Sequence, residues 1–131
     1  MPHLQFDINR PLSDEEKQGF AEAVRALFSR VMDTGTDHIA VSIRQFGTHD
    51  LSLGRVTRPE QGVALVNADI REGRSLEQRR ALALGLIELL DRTIGIPPAH
   101  VYVTCTEHKG EDFHLAERYL APWNRGEDPL A

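Results

Sequence analysis

Cysteine is almost missing from this chain of 131 residues: Cys105 stands alone. That excludes an internal disulfide framework and any cysteine-built zinc cluster. Lysine is scarce as well, two against thirteen arginines, and the formal net charge is −5. Such a balance excludes the basic footprint of a general nucleic-acid binder. No apolar run approaches the roughly 18 residues of a membrane span. The first ten residues lack the basic start and apolar middle of a secretory signal, so the cytoplasm is the expected location. Hydrophobic residues make up 40% and charged residues 27%, the composition of a globular domain and not of a disordered chain. At this length one domain is expected.

What the chain does have is an internal repeat with an offset of 62 positions. Asp7-Ile8 falls on Asp69-Ile70, Ser13 on Ser75, Phe20 on Leu82 and Val24 on Leu86. Leu27-Phe28 falls on Leu89-Leu90, His38 on His100, and Ile39 and Val41 on Val101 and Val103. No gap interrupts the match, which marks a duplicated supersecondary unit. Each half opens on a short apolar run, 4–8 or 63–70, that suits a buried strand. Ser13-Asp14-Glu15-Glu16 and Ser75-Leu76-Glu77-Gln78 are capping boxes. In each, the serine oxygen takes a free N–H at the helix start and the Glu or Gln reaches back. Helical stripes follow, Phe20, Val24, Leu27, Phe28, Val31 and then Leu82, Leu86, Leu89, Leu90. Gly35 lies beyond the first helix, and Gly95 with Pro97-Pro98 stops the second. Alternating strands at 39–46 and 101–106 complete the halves.

Each half is therefore β-α-β, a parallel strand pair with a right-handed crossover. The expected fold class is α+β: two tandem β-α-β units forming a four-stranded mixed sheet with two helices on one face. One domain spans 1–131, with pseudo-repeats 2–46 and 64–108, a linker 47–63 and a C-terminal tail 116–131. The linker reads as a loop with room for one short edge strand. The other sheet face carries Ala40, Ser42, Arg44, Tyr102, Thr104 and Thr106, a mixed surface predicted to be covered by neighbouring subunits. Tyr119, Pro122 and Trp123 in the tail either clasp a neighbour or dock on the chain's own surface.

Three features carry chemistry. Pro2 follows the initiator methionine, whose removal leaves a free secondary amine. An α-amino group titrates near about 7.7–8.0, and nearby cations and a dry site lower that value. The result is a general base near neutral pH; the plain alternative is a merely stable N-terminus. Ile70-Arg71-Glu72-Gly73-Arg74-Ser75 turns from strand into helix, where free N–H groups and two guanidinium groups favour a carboxylate. Its plain alternative is a surface pair satisfied by Glu72 and Glu77. Arg44 ends an alternating strand on the Ser42 face, where a substrate carboxylate or a rim ion pair would partner it. Cys105 reads as a buried small hydrophobe, and the six histidines include no metal-spaced pair on a predicted helix. His38 and His100, sharing one repeat position, read as structural.

Together, Pro2, the tandem units and the Arg71–Arg74 hinge resemble the tautomerase superfamily over almost the whole chain. The segment from Glu72 to Gln78 is similar to the helix start of the 4-oxalocrotonate tautomerases, which implies a carboxylate-binding role for Arg74. Thr106-Glu107-His108-Lys109-Gly110 through Phe113 is similar to their end region, which implies that Phe113 lines the pocket. Among double-unit members, Met1-Pro2-His3, Thr34-Gly35, Ser42-Ile43-Arg44 and the segment from Gly73 to Glu77 with Arg79 resemble the 5-carboxymethyl-2-hydroxymuconate isomerases. That resemblance implies roles for Pro2, Arg44 and Arg74. Arg71 matches instead the paired arginines of the cis-3-chloroacrylic acid dehalogenases. Those enzymes also use a His in the first helix, a Tyr in a late strand and a Glu in the tail. Phe28, Thr104 and Leu115 stand at the corresponding places, which puts isomerisation ahead of dehalogenation.

The resemblance implies a homotrimer with a tautomerase/MIF-like fold. It also implies a small anionic substrate, no metal or organic cofactor, and neither nucleic acid nor membrane as partner. Since the repeat counterpart of Pro2 is the internal Ala64, one site per subunit is expected. The activity implied is keto–enol isomerisation of a small unsaturated 2-hydroxy or 2-oxo dicarboxylic acid such as 5-carboxymethyl-2-hydroxymuconate. Two alternatives stand beside it. One is a hydratase, dehalogenase or decarboxylase using protonated Pro2 as an acid; the other is a non-catalytic trimeric binding or signalling module.

Overall fold

The computed structural model describes residues 2–129. β1 (His3–Ile8), α1 (Asp14–Met32) and β2 (Ala40–Gln45) form the first unit, and β3 (Ala64–Arg71), α2 (Leu76–Leu89) and β4 (Val101–His108) the second. The sheet runs β2-β1-β3-β4. Strands within each unit are parallel, and the units meet antiparallel along β1 and β3. The expected α+β fold is therefore the observed one. Its duplication shows in the register: His3 faces Asp69 and Asp7 faces Leu65, and the repeat offset exchanges one pair for the other. A pseudo-twofold axis thus passes through the seam between β1 and β3.

Local chemistry starts both helices in the same way. Ser13 Oγ accepts from Glu16 N–H at 3.1 Å while Glu16 accepts from Ser13 N–H at 2.9 Å. Ser75 and Gln78 repeat the exchange at 3.1 Å both ways. Each box satisfies two backbone donors, and losing such a cap costs about 1 kcal/mol. α1 ends at Asp33, whose backbone is left-handed with φ 51, an unfavourable state for a residue with a Cβ. α2 runs on through a wide turn, Leu90–Ile94, and closes at Gly95 with φ 78.

The core lies between the sheet and the two helices. β1 buries every second residue, Leu4, Phe6 and Ile8, and β3 buries Ala64, Val66, Ala68 and Ile70. Against them pack Phe20, Val24, Leu27 and Phe28 of α1 and Leu82, Leu86 and Leu89 of α2. Phe6 meets Phe20 edge to face at 4.9 Å. The helices touch where Gly85 lies under Leu27: a Cβ there would stand 2.8 Å from a leucine methyl. Cys105 packs half-buried against this core, and burial pushes its thiol pKa up. No helix among the described residues is long and apolar enough to cross a membrane.

Residues 47–63 contain a single 3-10 turn, Pro59–Gln61, and no strand, so the edge strand is not formed. Asn9 explains why. Its side chain donates to the carbonyls of Thr48 and Pro59 and accepts from Val63 N–H, which ties the linker to the end of β1 as a loop. The tail docks on its own chain, with Trp123 Nε1–H donating to the Asp33 carbonyl at 3.2 Å. The sheet face away from the helices shows Ser42, Arg44, Asn67, Tyr102 and Thr104, and Tyr102 is 58% exposed.

Candidate active site

The two strand registers meet at Pro2. Its carbonyl accepts from Ala40 N–H at 3.1 Å, and Pro2 is buried. His3 pairs with Ala40 on one side and Asp69 on the other. One step back, Pro2 lies between Ile39 and Ile70. One further step, the line where the amine of a first residue Pro2 would end, runs between His38 and Arg71.

Both flanking side chains are buried cations or potential cations. Arg71 closes β3 and is 1% exposed. Its Nη1 donates to the Ala121 carbonyl at 2.6 Å, and its Nη2 forms an ion pair with Glu127 of the tail. Its Nε has no hydrogen-bond partner among the described residues. Burial lowers its pKa, but a guanidinium keeps its charge at neutral pH. His38 is 4% exposed, and its Nδ1 likewise has no partner among the described residues. Burial, reinforced by nearby positive charges that include Arg71 and Arg74 and opposed by Asp128, pushes it from 6.5 down to about 4. The imidazole is neutral at pH 7.

Arg74 sits one turn past the hinge at Gly73, whose φ is 122. Its Nε and Nη2 both donate to the Met32 carbonyl at 3.2 Å. The positive charge thereby meets the negative end of the α1 dipole. The guanidinium stacks on Trp123 at 4.6 Å. Burial and Arg71 lower its pKa to about 10, opposed by Asp33. Neither arginine pairs with Glu72 or Glu77. Phe113, half-buried, stands at the same end of the sheet, its ring edge-on to His108 at 5.8 Å; His108 is opposite Arg71 in the register.

Arg44 is elsewhere. It projects near the far end of β2 and grips Asp7 with two bonds of 2.7 and 3.0 Å. Asp7 lies five positions along from Pro2, about 16 Å of strand. Within one subunit Arg44 does not reach the Pro2 end.

A cleft of ≈ 240 Å³ opens beside Arg71, lined also by Tyr119, Leu120 and Glu127. A second of ≈ 460 Å³ shares Tyr119, Leu120 and Ala121 and adds Glu72 and Lys109. Pro2, Arg74 and Phe113 line neither. Among the described residues, no three His, Cys, Asp or Glu side chains are grouped to hold a metal ion.

Sequence reasoning missed Glu127, Thr34 and the stacking of Trp123 on Arg74, and read His38 as structural. The sequence puts Leu115 at the place of the tail carboxylate; the structure supplies one at Glu127, on Arg71. Only the return of the tail across Thr34, where a β-bridge joins Thr34 to Glu127, brings that carboxylate in. No spacing rule in the sequence carries this.

The family model described as "Tautomerase enzyme" matches residues 55–116, a stretch holding Arg71, Arg74 and Phe113 but neither Pro2 nor Arg44. No curated protein matches the chain in sequence. Among solved structures, a member of the cis-3-chloroacrylic acid dehalogenase family named N1 is 21% identical with a TM-score of 0.82. That match covers 92% of this chain and 84% of the other. The protein Pt0534, solved after inactivation by 2-oxo-3-pentynoate, is 23% identical with a TM-score of 0.74, covering 87% and 91%. A fused 4-OT, an asymmetric trimer, is 17% identical with a TM-score of 0.76, covering 89% and 94%.

Proposed function

We propose that this chain, which has the fold of the tautomerase superfamily, is a cofactor-free keto–enol isomerase with Pro2 as its general base. Removal of Met1 exposes the amine. Pro2 takes a proton from the dienol oxygen or an allylic carbon of a small unsaturated 2-hydroxy or 2-oxo acid. It returns the proton to another carbon of the same conjugated system. Arg71 and Arg74 attract the carboxylates and stabilise charge on the dienolate, an effect of about 2.7–4 kcal/mol per well-placed donor. Phe113 forms an apolar wall. A homotrimer brings Arg44 from a neighbouring subunit to the second carboxylate, so a dicarboxylate such as 5-carboxymethyl-2-hydroxymuconate suits the site.

The single observation that supports the reading is the meeting of registers, which sets buried Pro2 between Ile39 and Ile70, each one residue from a buried His38 or Arg71. A cationic, dry setting depresses an amine's pKa. That makes proline a base at neutral pH and not an ammonium acid.

Glu127 favours a second reading. A tail carboxylate is one of the three groups whose absence at the expected places counts against dehalogenation, and Glu127 puts one beside Arg71. In that reading protonated Pro2 donates a proton and Glu127 orients a water for addition to a small unsaturated or halogenated acid.

The test is ultraviolet-monitored ketonisation of 2-hydroxymuconate and its carboxymethyl analogue by Met-processed protein. Pro2→Ala is expected to lose at least 100-fold in kcat/KM, on the scale of general-base catalysis. Glu127→Gln is expected to keep the ketonisation. Treatment with 2-oxo-3-pentynoate, an alkynone open to amine addition, is expected to place one adduct on Pro2 by mass spectrometry. No ketonisation, with hydration of a three-carbon acid lost in Glu127→Gln, selects the second reading. No adduct and equal rates in Pro2→Ala leave a non-catalytic trimeric module.

A further inference from the structure

We propose that His38 is the positioning residue of the Pro2 amine: its Nδ1 accepts the amine N–H and so fixes where the proline lone pair points. The inference rests on the proposed function in one respect, since it takes Pro2 as the first residue.

The repeat shows where this ring nitrogen aims. His100, the counterpart of His38, has Nδ1 2.8 Å from the Gly62 carbonyl. Gly62 stands two positions ahead of Ala64, and Ala64 is the counterpart of Pro2. Carried across the offset, His38 Nδ1 aims along the backbone line ahead of Pro2, toward a place two positions out. With Pro2 first, no carbonyl stands there, and the amine is the nearest backbone group on that line. That is why one histidine of the pair is satisfied by the chain while the other keeps a buried nitrogen with no partner among the described residues.

The long contacts behind the ring fit the tautomer this role needs. Thr34 has one hydroxyl hydrogen, and it goes to Glu127 Oε1 at 3.4 Å, an oxygen that only accepts. Thr34 Oγ1 therefore accepts from His38 Nε2–H at 3.5 Å. The lone pair of the neutral imidazole is left on Nδ1. A neutral secondary amine has one N–H and one lone pair. With the N–H held by His38, the lone pair is turned outward to the substrate. After proton abstraction the ammonium has two N–H bonds: one stays on His38, and the other is the proton in transit. His38 takes no proton itself. Burial above all keeps the ring neutral, helped by nearby positive charges that include Arg71 and Arg74 and opposed by Asp128.

Two measurements test this on Met-processed protein. Long-range 1H–15N spectra report which imidazole nitrogen is protonated, and Nε2–H is expected; an Nδ1–H ring overturns the proposal. The second is the Pro2 pKa by 15N-proline titration. A hydrogen bond to the charged form raises an amine's pKa. His38→Leu is therefore expected to lower it by about one unit, the size of a charge-assisted bond. The same variant is expected to drop kcat about tenfold or more while KM stays within about twofold. His38→Asn puts an amide oxygen where Nδ1 was and restores both; His38→Gln puts its amide where Nε2 was and does not. Equal behaviour of Asn and Gln, or an unmoved Pro2 pKa in a folded His38→Leu protein, overturns the idea. The asparagine–glutamine comparison decides alone should the leucine protein fail to fold. Neither spectrum depends on turnover, so an inert protein with the expected titration would refute the isomerase and leave this contact standing.

Discussion

His38 connects the site to stability through its titration. The ring takes a proton near 6.5 in the unfolded chain and near about 4 in the folded one, chiefly because it is buried. Between those values the unfolded state binds more protons. Its contribution is therefore whole above pH 6.5 and shrinks as the pH falls toward 4. By pH 5 the loss amounts to about 2 kcal/mol. Urea denaturation at pH 7 and pH 5 is expected to show that loss in the wild type and a flat response over the same window in His38→Asn. A wild type as flat as the variant would mean that the folded ring titrates normally. The same environment explains the arginines. Arg71 is matched by a tail carboxylate and a carbonyl, Arg74 by a helix end and an indole face. Their charges are compensated by the fold itself, as buried charges must be.

The elements divide by the range of the interactions that make them. Both capping boxes, both apolar stripes and the hinge before α2 were legible because each is set by residues within a few positions of one another. The second helix end was legible for the same reason, since Gly95 supplies the left-handed turn. The linker and the tail were not, because their anchors lie far away in the chain: Asn9 for the first, Asp33, Thr34 and Arg71 for the second. Pro2, Arg44, Arg71, Arg74 and Phe113 are sequence readings, and within one subunit the structure sets Arg44 apart from the Pro2 end. The registers that bring Pro2 near Arg71 and His38 exist only once β1 has paired on both edges. Gly110 tests how much the tail contributes. A Cβ there would stand 2.4 Å from the Ala121 carbonyl oxygen, which as backbone has little room to give. Gly110→Ala is expected to lift the tail from the end of β4. Hydrogen–deuterium exchange should then quicken at Leu120 and Gly126, whose N–H groups bond Phe113 and Asp33. Core strands such as β1 should keep their protection. Unchanged exchange at Leu120 would show that the tail is held independently of that crossing.

On the scale of the whole molecule, the open question is why a strongly charged residue stands so far from the chemistry proposed for it. Arg44 and Pro2 lie near opposite ends of one strand pair, and Arg44 is held there by Asp7 in an exposed ion pair. Such a pair contributes at most about 1 kcal/mol, so it yields readily to a stronger partner. The sheet face around it carries Tyr102 and Thr104 and has no helix over it. In the proposed trimer that face is covered and Arg44 of each subunit is carried toward a neighbour's Pro2. Sedimentation equilibrium is then expected to return three times the 14.7 kDa of the chain. Subunit mixing separates this arrangement from a site complete within one chain. Pro2→Ala and Arg44→Ala proteins are each expected to be nearly inactive. Denatured together and refolded, they form mixed trimers in which an intact Pro2 of one subunit meets an intact Arg44 of the next. Activity should reappear in the mixture and in neither parent. A mixture as inactive as its parents, in trimers shown to be mixed by mass spectrometry, would confine Arg44 to its pair with Asp7.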